Sequence, residues 1–453
     1  MDEKYLIIGI DAPNPVFRME IMSIQFGTFL RTKKMLVFLV VVASIIATVI
    51  ALNFIPGEKK VQTRISEIYS VHDPQFLRSM SHLLGPPLVS GNQVKELING
   101  DEIFPPMLAA IRAAEKTITL ETYIYWSGEI GKEFADALAQ RARAGVKVHV
   151  LVDWAGSAKM DDQLLQLMKD AGVEILKYHP LHWYHLARMN NRTHRKLLVI
   201  DGKVGFTGGV GIADNWLGNA QDADHWRDSH FRIEGPAVAQ MQAAFMDNWI
   251  KTSGEVLHGE DYFPPIEPVG EHYAQVFKSS SSEGSESVRL MYLLSIASAR
   301  KNVYIANAYF VPDDLSVQTI VRALQRGVKV KILMPGTRTD SEPVRRASRA
   351  RWGELLEAGA EMYEYQPTMF HCKVMIVDDV WVSVGSTNFD SRSFRLNDEA
   401  NLNIYDHAFA QRQIDVFEDD LKKSRQIDYE AWQRRPWSEK LLEHTMALLR
   451  SQM

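Results

Sequence analysis

Apolar and polar positions follow the same order twice along the chain. The first copy has strand-like residues 117–125, a helix-like stretch from Lys132, and strand-like residues 144–151 and 171–175. The second copy repeats this order in residues 303–311, 315–324, 326–333 and 358–362. Short β-branched runs that alternate with helical patterns, with glycine near the helix ends, predict β-α-β units. We therefore expect an α/β fold with a mixed, mostly parallel sheet in each half.

Each copy ends in one motif, a histidine followed at fixed spacing by a lysine and an aspartate. The motif residues are His194, Lys196 and Asp201 in the first copy, and His371, Lys373 and Asp378 in the second. A pair of small residues follows at the same distance in each copy, Gly208-Gly209 and Gly385-Ser386. On a strand, side chains two residues apart point to the same face, so each histidine and lysine should face one site. Because the motif occurs twice, we predict one active site built from two halves.

These residue types are the parts needed to attack and hold a phosphodiester. Without a metal, that reaction needs a nucleophile, an acid for the departing alkoxide, and positive charge beside the non-bridging oxygens. The two histidines suit the first two tasks because their ordinary pKa lies near neutral pH. Lys196 and Lys373 can supply the charge. No histidine or cysteine cluster in the sequence has zinc-like spacing, so we predict no metal and no cofactor.

The chain resembles the phospholipase D superfamily, and within it the bacterial cardiolipin synthase branch. The matching residues are 190–196, 208–212, 226–228, 233–238 and 385–393, with Asn397 and Glu399. The resemblance implies two homologous α/β/α halves that share one active site, at residues 85–265 and 266–453. Asn388 stands where the first half has Gly211, so the first half lacks a side-chain amide that the family often places there.

The resemblance also implies roles for individual residues. His194 would be the nucleophile, and His371 would act first as acid and then as base. A carboxylate downstream of each glycine turn would hold a histidine, Asp228 for His194 and Glu399 for His371. Asn388 would donate a further hydrogen bond to the phosphoryl group.

For three carboxylates, the sequence leaves both a role in the active site and a structural role open. Asp201 and Asp378 are counted with the catalytic residues, but both lie at predicted strand ends before turn-like residues. Anchoring of that turn is the structural alternative. Glu121 could serve the site, yet the second copy has Ala306 in its place.

The N-terminal region contains a long apolar segment. Residues 35–55 carry no charged side chain and would span about 30 Å as a helix, enough to cross a bilayer core. We predict an N-terminal tail (1–34), a transmembrane helix (35–55) and a linker (56–84). A cleaved signal peptide is the alternative. Basic residues flank the segment on both sides, so its orientation is undecided.

Composition narrows the function classes. The net charge of −5 and the pI near 6.3 do not favour a nucleic-acid-binding protein. The single cysteine, Cys372, excludes an intrachain disulfide, and we interpret it as a packed residue. Residues 430–449 predict an amphipathic C-terminal segment that contacts either lipid headgroups or the catalytic body. Residues 181–189 mix aromatic and basic side chains, and either dip into the bilayer interface or cover the domain.

The resemblance implies a phosphatidyltransferase. A cardiolipin synthase would join two phosphatidylglycerol molecules with release of glycerol, through a phosphohistidine intermediate. A hydrolytic phospholipase D differs only in admitting water, and a nuclease of the same superfamily is a further alternative. The implied partners are phosphatidylglycerol and the bacterial inner membrane, crossed once, with no nucleic acid. The sequence does not determine the oligomeric state.

Overall fold

The computed structural model describes residues 33–48, 65, 69–82, 85–180, 190–280 and 287–450. The chain divides into two compact units, Met1–Gly57 and Glu58–Met453. In the first unit, residues 33–48 form helix α1. No helix in these described ranges is both long enough and apolar enough to cross a bilayer. Of the predicted transmembrane segment, residues 35–48 are helical, and residues 49–55 lie outside the described residues, as do residues 1–32 of the predicted tail.

The second unit is built on a 16-stranded sheet. Its first strands are β1 (Val89–Ile98), β2 (Thr117–Thr122), β3 (Lys147–Asp153), β4 (Glu174–Tyr178), β5 (Arg192–Thr193), β6 (Leu197–Ile200), β7 (Val204–Gly208) and β8 (Ser229–Glu234). The others are β9 (His272–Ser279), β10 (Asn302–Asn307), β11 (Lys329–Pro335), β12 (Glu361–Tyr365), β13 (Lys373–Val377), β14 (Trp381–Gly385), β15 (Asn397–Tyr405) and β16 (Ser424–Gln426).

Helices flank this sheet. They are α2 (Pro74–His82), α3 (Asn99–Ala113), α4 (Glu129–Arg143), α5 (Asp162–Asp170), α6 (Val238–Ser253), α7 (Ser287–Ser298), α8 (Asp314–Gln325), α9 (Glu342–Arg349), α10 (Trp352–Glu357), α11 (Ser391–Arg395), α12 (His407–Leu421), α13 (Tyr429–Gln433) and α14 (Trp437–Ala447). The alternation of strands and helices confirms the predicted α/β class.

The strand order is the same on the two sides of the sheet. From the centre outward, one side runs β1-β8-β7-β6-β2-β3-β4, and the other runs β9-β15-β14-β13-β10-β11-β12, with β16 at its edge. Strands β1 and β9 pair antiparallel and join the sides. The two motif strands, β6 and β13, therefore occupy equivalent positions.

The prediction of mostly parallel sheets is wrong. On each side, two pairs are parallel, β2–β3 with β3–β4 and β10–β11 with β11–β12. The pairs that involve the motif strands and the strands after them are antiparallel. Parallel neighbours need a long crossover, whereas the motif strand returns through a short hairpin.

The motif aspartates belong to these hairpins. Asp201 and Gly202 have φ of 52° and 66°, and Asp378 and Asp379 have φ of 50° and 59°. Two successive residues with positive φ begin a three-residue connection, and their twist suits the antiparallel return of the strand. The Asp-Gly pair after an apolar strand was the signal for an antiparallel return in the first copy.

Of the four apolar cores among the described residues, three large ones hold the sheet and the helices together. Helices α3, α4 and α5 pack on the outer strands of the first side, and α2, α7, α8 and α10 on those of the second. A third core contains residues of α6 and α12 with strands from both sides of the sheet. This shared core fixes the two sides relative to each other, and thereby the two motifs.

The segment predicted as a linker contains helix α2. Its side chains Phe76 and Met80 are buried in the core of the second side, where the Phe76 ring lies 5.1 Å from that of Trp381. Burial of each such side chain contributes about 1.5–3 kcal/mol. This helix is therefore part of the second compact unit and not a linker.

Helix α14 near the C-terminus has one packed and one exposed side. Glu443 is buried and accepts a hydrogen bond from Arg435 Nε at 2.7 Å, and it lies 3.1 Å from Arg349 of α9. On the other side, the exposed fractions of Trp437, Leu441 and Leu448 are 77%, 59% and 81%. The helix thus packs on the body and still presents apolar side chains to its surroundings.

Candidate active site

Each motif histidine is held by backbone of the opposite half. Strand β5 pairs parallel with β15, and the His194 amide donates to the Asp398 carbonyl at 2.8 Å. The His371 amide donates to the Arg227 carbonyl, just before β8, at 2.7 Å. Each half thus inserts its motif beside a strand start of the other half.

Arg195 fixes the first motif from behind. Its side chain is fully buried, and its guanidinium donates to the carbonyls of Ala244, Ser279 and Glu399 at 2.7, 3.0 and 3.2 Å. Residues adjacent on an extended chain point to opposite faces, so Arg195 anchors the backbone while His194 and Lys196 face the site. In the second motif, Cys372 takes this position, buried and 3.8 Å from Ser229 Oγ. Burial raises the pKa of its thiol to about 12, which fits the predicted packing role.

The carboxylates cross between the halves. Nδ1 of His194 lies 2.9 Å from Oε2 of Glu399, and Nδ1 of His371 lies 2.8 Å from Oδ2 of Asp228. The expected assignment, Asp228 to His194 and Glu399 to His371, is therefore wrong. It assumed that each half supplies its own pair, whereas β5 and β15 bring residues of opposite halves together. An ionised carboxylate only accepts hydrogen bonds, so we infer that each Nδ1 carries the proton and each Nε2 the lone pair.

The small pairs after each motif support these carboxylates differently. Ser386 Oγ donates to Glu399 Oε2 at 2.6 Å. In the equivalent place of the first half, a Cβ on Gly209 would collide with the Asp228 carboxylate. Asp228 instead accepts from Trp216 Nε1 at 2.9 Å. Gly208 and Gly385, which precede these residues, are the last residues of β7 and β14.

The two lysines lie beside the histidines. Lys196 Nζ donates to the His194 carbonyl at 2.8 Å, and Lys373 Nζ lies 3.1 Å from Nε2 of His371. Both ammonium groups are buried. Burial lowers the pKa of Lys196 to about 7 and also lowers that of Lys373. An anion bound between them would stabilise their charged forms.

Burial also changes the pKa values of the two histidines and of the carboxylates that contact them. Burial lowers the pKa of His194 to about 4, although the negative charge of Glu399 acts in the opposite direction. Burial also lowers the pKa of His371, and the nearby positive charge of Lys373 lowers it further. For Asp228 and Glu399, burial alone would raise the pKa. The partner histidine and the lysines outweigh burial, so the pKa of both carboxyls lies below its usual range. The site thus holds neutral imidazoles against ionised carboxylates.

Both motifs open on one cavity of about 670 Å³. Its walls include the motif residues His194, Lys196 and His371, and the predicted Asn388. Oδ1 of Asn388 is buried and has no hydrogen-bond partner among the described residues. Aromatic side chains form much of the remaining wall, namely Tyr123, Trp126, Trp216, Trp226 and Tyr309. A cavity of this size and lining suits a lipid headgroup with an attached apolar portion.

The motif aspartates anchor the turn after each motif strand, which was the structural alternative to a catalytic role. Asp201 accepts from the amides of Glu115, Lys116 and Thr117 at 2.9, 2.7 and 2.8 Å. Asp378 accepts in the same way from three consecutive amides, those of Arg300, Lys301 and Asn302. The described residues that line the cavity include neither aspartate. Both carboxylates tie the motif hairpin to the start of the neighbouring strand.

Glu121 lies behind the first motif. It is fully buried, and it accepts from Asn248 Nδ2 at 2.7 Å and from Thr193 Oγ1. Burial raises its pKa to about 7. Its contacts indicate support for the backbone next to His194. Residues 181–189, for which the sequence left open a loop in the bilayer interface or a cover over the domain, are outside the described residues. In the described part of the chain, no group of histidine, cysteine and carboxylate residues is arranged to hold a metal ion.

Comparison with known proteins identifies the family. A family model described as "Cardiolipin synthase, PLD-like domain" matches residues 107–249 and 292–421. The chain belongs to the cardiolipin synthase, PLD-like family. Cardiolipin synthase 2 of Bacillus anthracis is 36% identical over 360 residues, which are 79% of this chain and 70% of that protein. Cardiolipin synthase of Alkalihalophilus pseudofirmus is 36% identical over 379 residues, 83% of this chain and 75% of that protein.

A solved structure shares the fold. Phosphatidylserine synthase of Haemophilus influenzae superposes with a TM-score of 0.64 at 14% identity, covering 83% of this chain and 99% of that one. At this identity the likeness concerns the fold alone.

In this member of the cardiolipin synthase, PLD-like family, several cavity residues were not predicted from the sequence. Beyond the aromatic side chains, they include Lys159, Arg192, Asp340, Asp390 and Arg392. Among these residues, only Arg192 lies in a sequence pattern that could have indicated a place in the site. It lies two residues before His194, so the strand period that aligned His194 with Lys196 also places Arg192 on the same face. The others reach the cavity through loops and short helices, for which no simple period exists.

Proposed function

We propose that this chain is a phosphatidyltransferase that joins two phosphatidylglycerol molecules into cardiolipin and releases glycerol. One observation carries the proposal. Two histidines, each held by a carboxylate of the other half, open on one cavity that also contains buried lysine charge. The names of the curated relatives support the choice of this reaction among the phosphodiester exchanges that such a site can perform.

In the first half-reaction, Nε2 of His194 attacks the phosphorus of the donor. The bound anionic donor and Asp228 favour a second proton on His371, at Nε2. A P–N bond forms as the P–O bond to glycerol breaks, and His371 gives this Nε2 proton to the departing glycerol oxygen. Glu399 keeps the Nδ1 proton of His194 in place, so the lone pair stays on Nε2. The product is a phosphatidyl group on His194.

In the second half-reaction, a second phosphatidylglycerol takes the place of glycerol. His371, now neutral, removes the proton from its terminal hydroxyl, and the resulting oxygen attacks phosphorus. The P–N bond breaks, cardiolipin forms, and His194 is restored. Asp228 stabilises His371 whenever it carries the extra proton. Water in place of the lipid hydroxyl would give phosphatidic acid, which is the hydrolytic alternative.

Lys196, Lys373 and Asn388 would stabilise the five-coordinate transition state. Burial disfavours the charged ammonium groups, and an anionic phosphodiester between them would restore their charge. Asn388 would contribute a donor fixed by its buried setting. Gly208, Gly209, Gly385 and Ser386 would shape the turns that hold the two carboxylates.

We also propose the domain organisation and the membrane location as the setting of this reaction. Residues 85–265 and 266–453 would be homologous halves, and residues 35–55 a single-pass anchor in the bacterial inner membrane. The apolar side chains of residues 35–41 are exposed, as are Trp437 and Leu441 of α14 and Leu448 directly after it. Both segments would bring the cavity to its lipid substrate. Fractionation of the full chain, with and without residues 35–55, tests the anchor; recovery of the full chain in the soluble fraction would contradict it.

Lipid analysis in a suitable host tests the activity. The full chain is expressed in a bacterium without its own cardiolipin synthases, beside a His194→Ala variant at equal protein level. We expect cardiolipin only with the intact chain. Accumulation of phosphatidic acid without cardiolipin would contradict the transferase and favour the hydrolase.

A further inference from the structure

The proposed reaction brings two phosphodiesters into one site. The donor phosphate reacts at His194, and the acceptor phosphatidylglycerol carries a second phosphate, which remains intact in the product. The two phosphorus atoms are joined through one glycerol, by six covalent bonds. An extended chain gains about 3.3–3.6 Å for every three bonds, so these phosphates lie about 7 Å apart. A second cation at this distance from His194 would distinguish a lipid acceptor from water.

Arg192 is the neighbouring cation on the segment that carries His194. It lies two residues before His194 on the same extended segment, and both side chains line the cavity. Side chains two residues apart on a strand are separated by about 6.5–7 Å. This separation matches the span of a glycerol between two phosphates. Lys196, Arg192 and His194 thus form one row, with the histidine at its centre.

The guanidinium of Arg192 has unused hydrogen-bonding capacity. Its Nη1 atom is buried and has no hydrogen-bond partner among the residues that the structure describes. The group lies 4.6 Å from the ring of Trp154, which supports its plane. A guanidinium edge binds phosphate oxygens in a fork geometry. A buried donor without a partner is costly, and a phosphate would satisfy it.

The other cations of the cavity wall have a different setting. Lys159 is an exposed side chain whose Nζ lies 3.8 Å from the centre of the Trp126 ring, and Arg392 Nη1 donates to the Asn190 carbonyl at 3.1 Å. The position equivalent to Arg192 in the second motif is Met369, two residues before His371 and buried. The row of cations therefore exists only on the side of His194.

We propose that Arg192 binds the phosphodiester of the acceptor phosphatidylglycerol and so determines that a lipid, rather than water or a small alcohol, completes the transfer. This inference rests on the proposed function. Arg192 is a specificity residue here, because the donor contributes a single phosphate, and that phosphate is held at His194. Loss of Arg192 should weaken acceptor binding while the first half-reaction proceeds.

Competition between two acceptors tests this assignment. The purified full chain is supplied with phosphatidylglycerol in mixed micelles together with 1-butanol, an uncharged acceptor. Cardiolipin and phosphatidylbutanol then arise from the same phosphohistidine, so their ratio reports acceptor selection alone. For Arg192→Gln we expect this ratio to fall about ten- to 150-fold, the usual range for a lost hydrogen bond to a charged group. Formation of phosphatidylbutanol at saturating butanol should stay within about twofold of the wild-type rate.

Two further variants complete the test. Arg192→Lys keeps the positive charge but loses the bidentate geometry of the guanidinium. Its ratio of cardiolipin to phosphatidylbutanol should therefore lie between those of Arg192→Gln and the wild type. Lys177→Gln removes a charge from the exposed side of β4, outside the cavity, and should leave the ratio unchanged. An unchanged ratio in Arg192→Gln would overturn the inference, and so would equal losses of both products. A wild-type chain that makes phosphatidylbutanol but no cardiolipin would instead refute the proposed function, and the inference would fall with it.

Discussion

The crossed carboxylates give a sharp prediction, because they connect each acidic residue to one step of the reaction. Glu399 places its two oxygens 2.9 and 3.0 Å from Nδ1 of His194, and it also accepts from Ser386 and Asn397. A glutamine at this position keeps the size of the side chain. Its amide group replaces one acceptor with a donor, and it removes the negative charge that favours the Nδ1-protonated form of His194.

The size of the effect follows from these contacts. A hydrogen bond to a charged group contributes about 1.5–3 kcal/mol, which is about ten- to 150-fold in rate. Loss of the correct tautomer costs further, up to about 10⁴-fold when a carboxylate that orients a catalytic histidine becomes an amide. We therefore expect Glu399→Gln to slow formation of the phosphohistidine at least about 100-fold.

Asp228→Asn is the matched control. It makes the same chemical change beside His371, whose proton is needed only when the leaving group is a poor one. With a p-nitrophenyl phosphodiester lipid analogue, the leaving phenolate needs no acid. The initial burst of p-nitrophenol should then be near wild type in Asp228→Asn and nearly absent in Glu399→Gln. With phosphatidylglycerol, both variants should turn over slowly.

Rapid-quench measurement of the burst, with thermal melts to verify folding, decides between the two pairings. A burst lost in Asp228→Asn and retained in Glu399→Gln would show that the carboxylates act on the other histidine. Equal bursts in both variants would refute the assignment of separate steps to the two histidines.

Further predictions address the site and its support. With the same aryl donor, intact-protein mass spectrometry should find a phosphoryl adduct on His371→Ala and none on His194→Ala; label on His371 in the latter would reverse the two roles. Because His194 must be neutral to attack and its pKa is lowered by burial to about 4, the wild-type burst rate should rise with pH through about 4 and be level above about 5; a rise near pH 6.5 would contradict this environment. Burial raises the pKa of Glu121 to about 7, so its contribution to stability is present in acid and lost as the pH rises through 7. The melting temperature of Glu121→Gln relative to wild type should therefore be higher at pH 8.5 than at pH 5, and equal differences would refute the buried charge. Asp201→Asn should lose about 1 kcal/mol of stability by breaking one amide contact, with activity per folded molecule within about twofold; a loss of activity at unchanged stability would restore its catalytic role.

The sequence by itself determined the local features of the site. Two copies of one motif, with equal spacing, predicted a single site from two halves. The strand period placed each lysine on the face of its histidine. The same period applies to Arg192, which was not among the predicted site residues. The same-face relations join residues two or four positions apart, whose geometry is set by the backbone of a single extended segment.

Features that depend on pairing between distant strands were decided by the tertiary structure. Glu399 lies 205 residues from His194, and Asp228 lies 143 residues from His371. Their contacts exist because β5 pairs with β15 and the His371 segment with the residues before β8, across the shared core. The equal spacing within the two motifs is compatible with a carboxylate from the same half and with one from the opposite half. The sequence pattern therefore could not distinguish the two pairings.

Burial likewise comes only from packing. The sequence shows a histidine and a lysine, but the fall in the pKa of His194 to about 4 and of Lys196 to about 7 results from the surrounding low-dielectric body. The motif aspartates illustrate the same division. Their place after a strand was visible in the sequence, whereas their three backbone contacts each required the neighbouring strand to begin beside the hairpin. Chain-local spacing thus specified which groups face one another within a motif, and the packing of the two halves specified their partners and their charge.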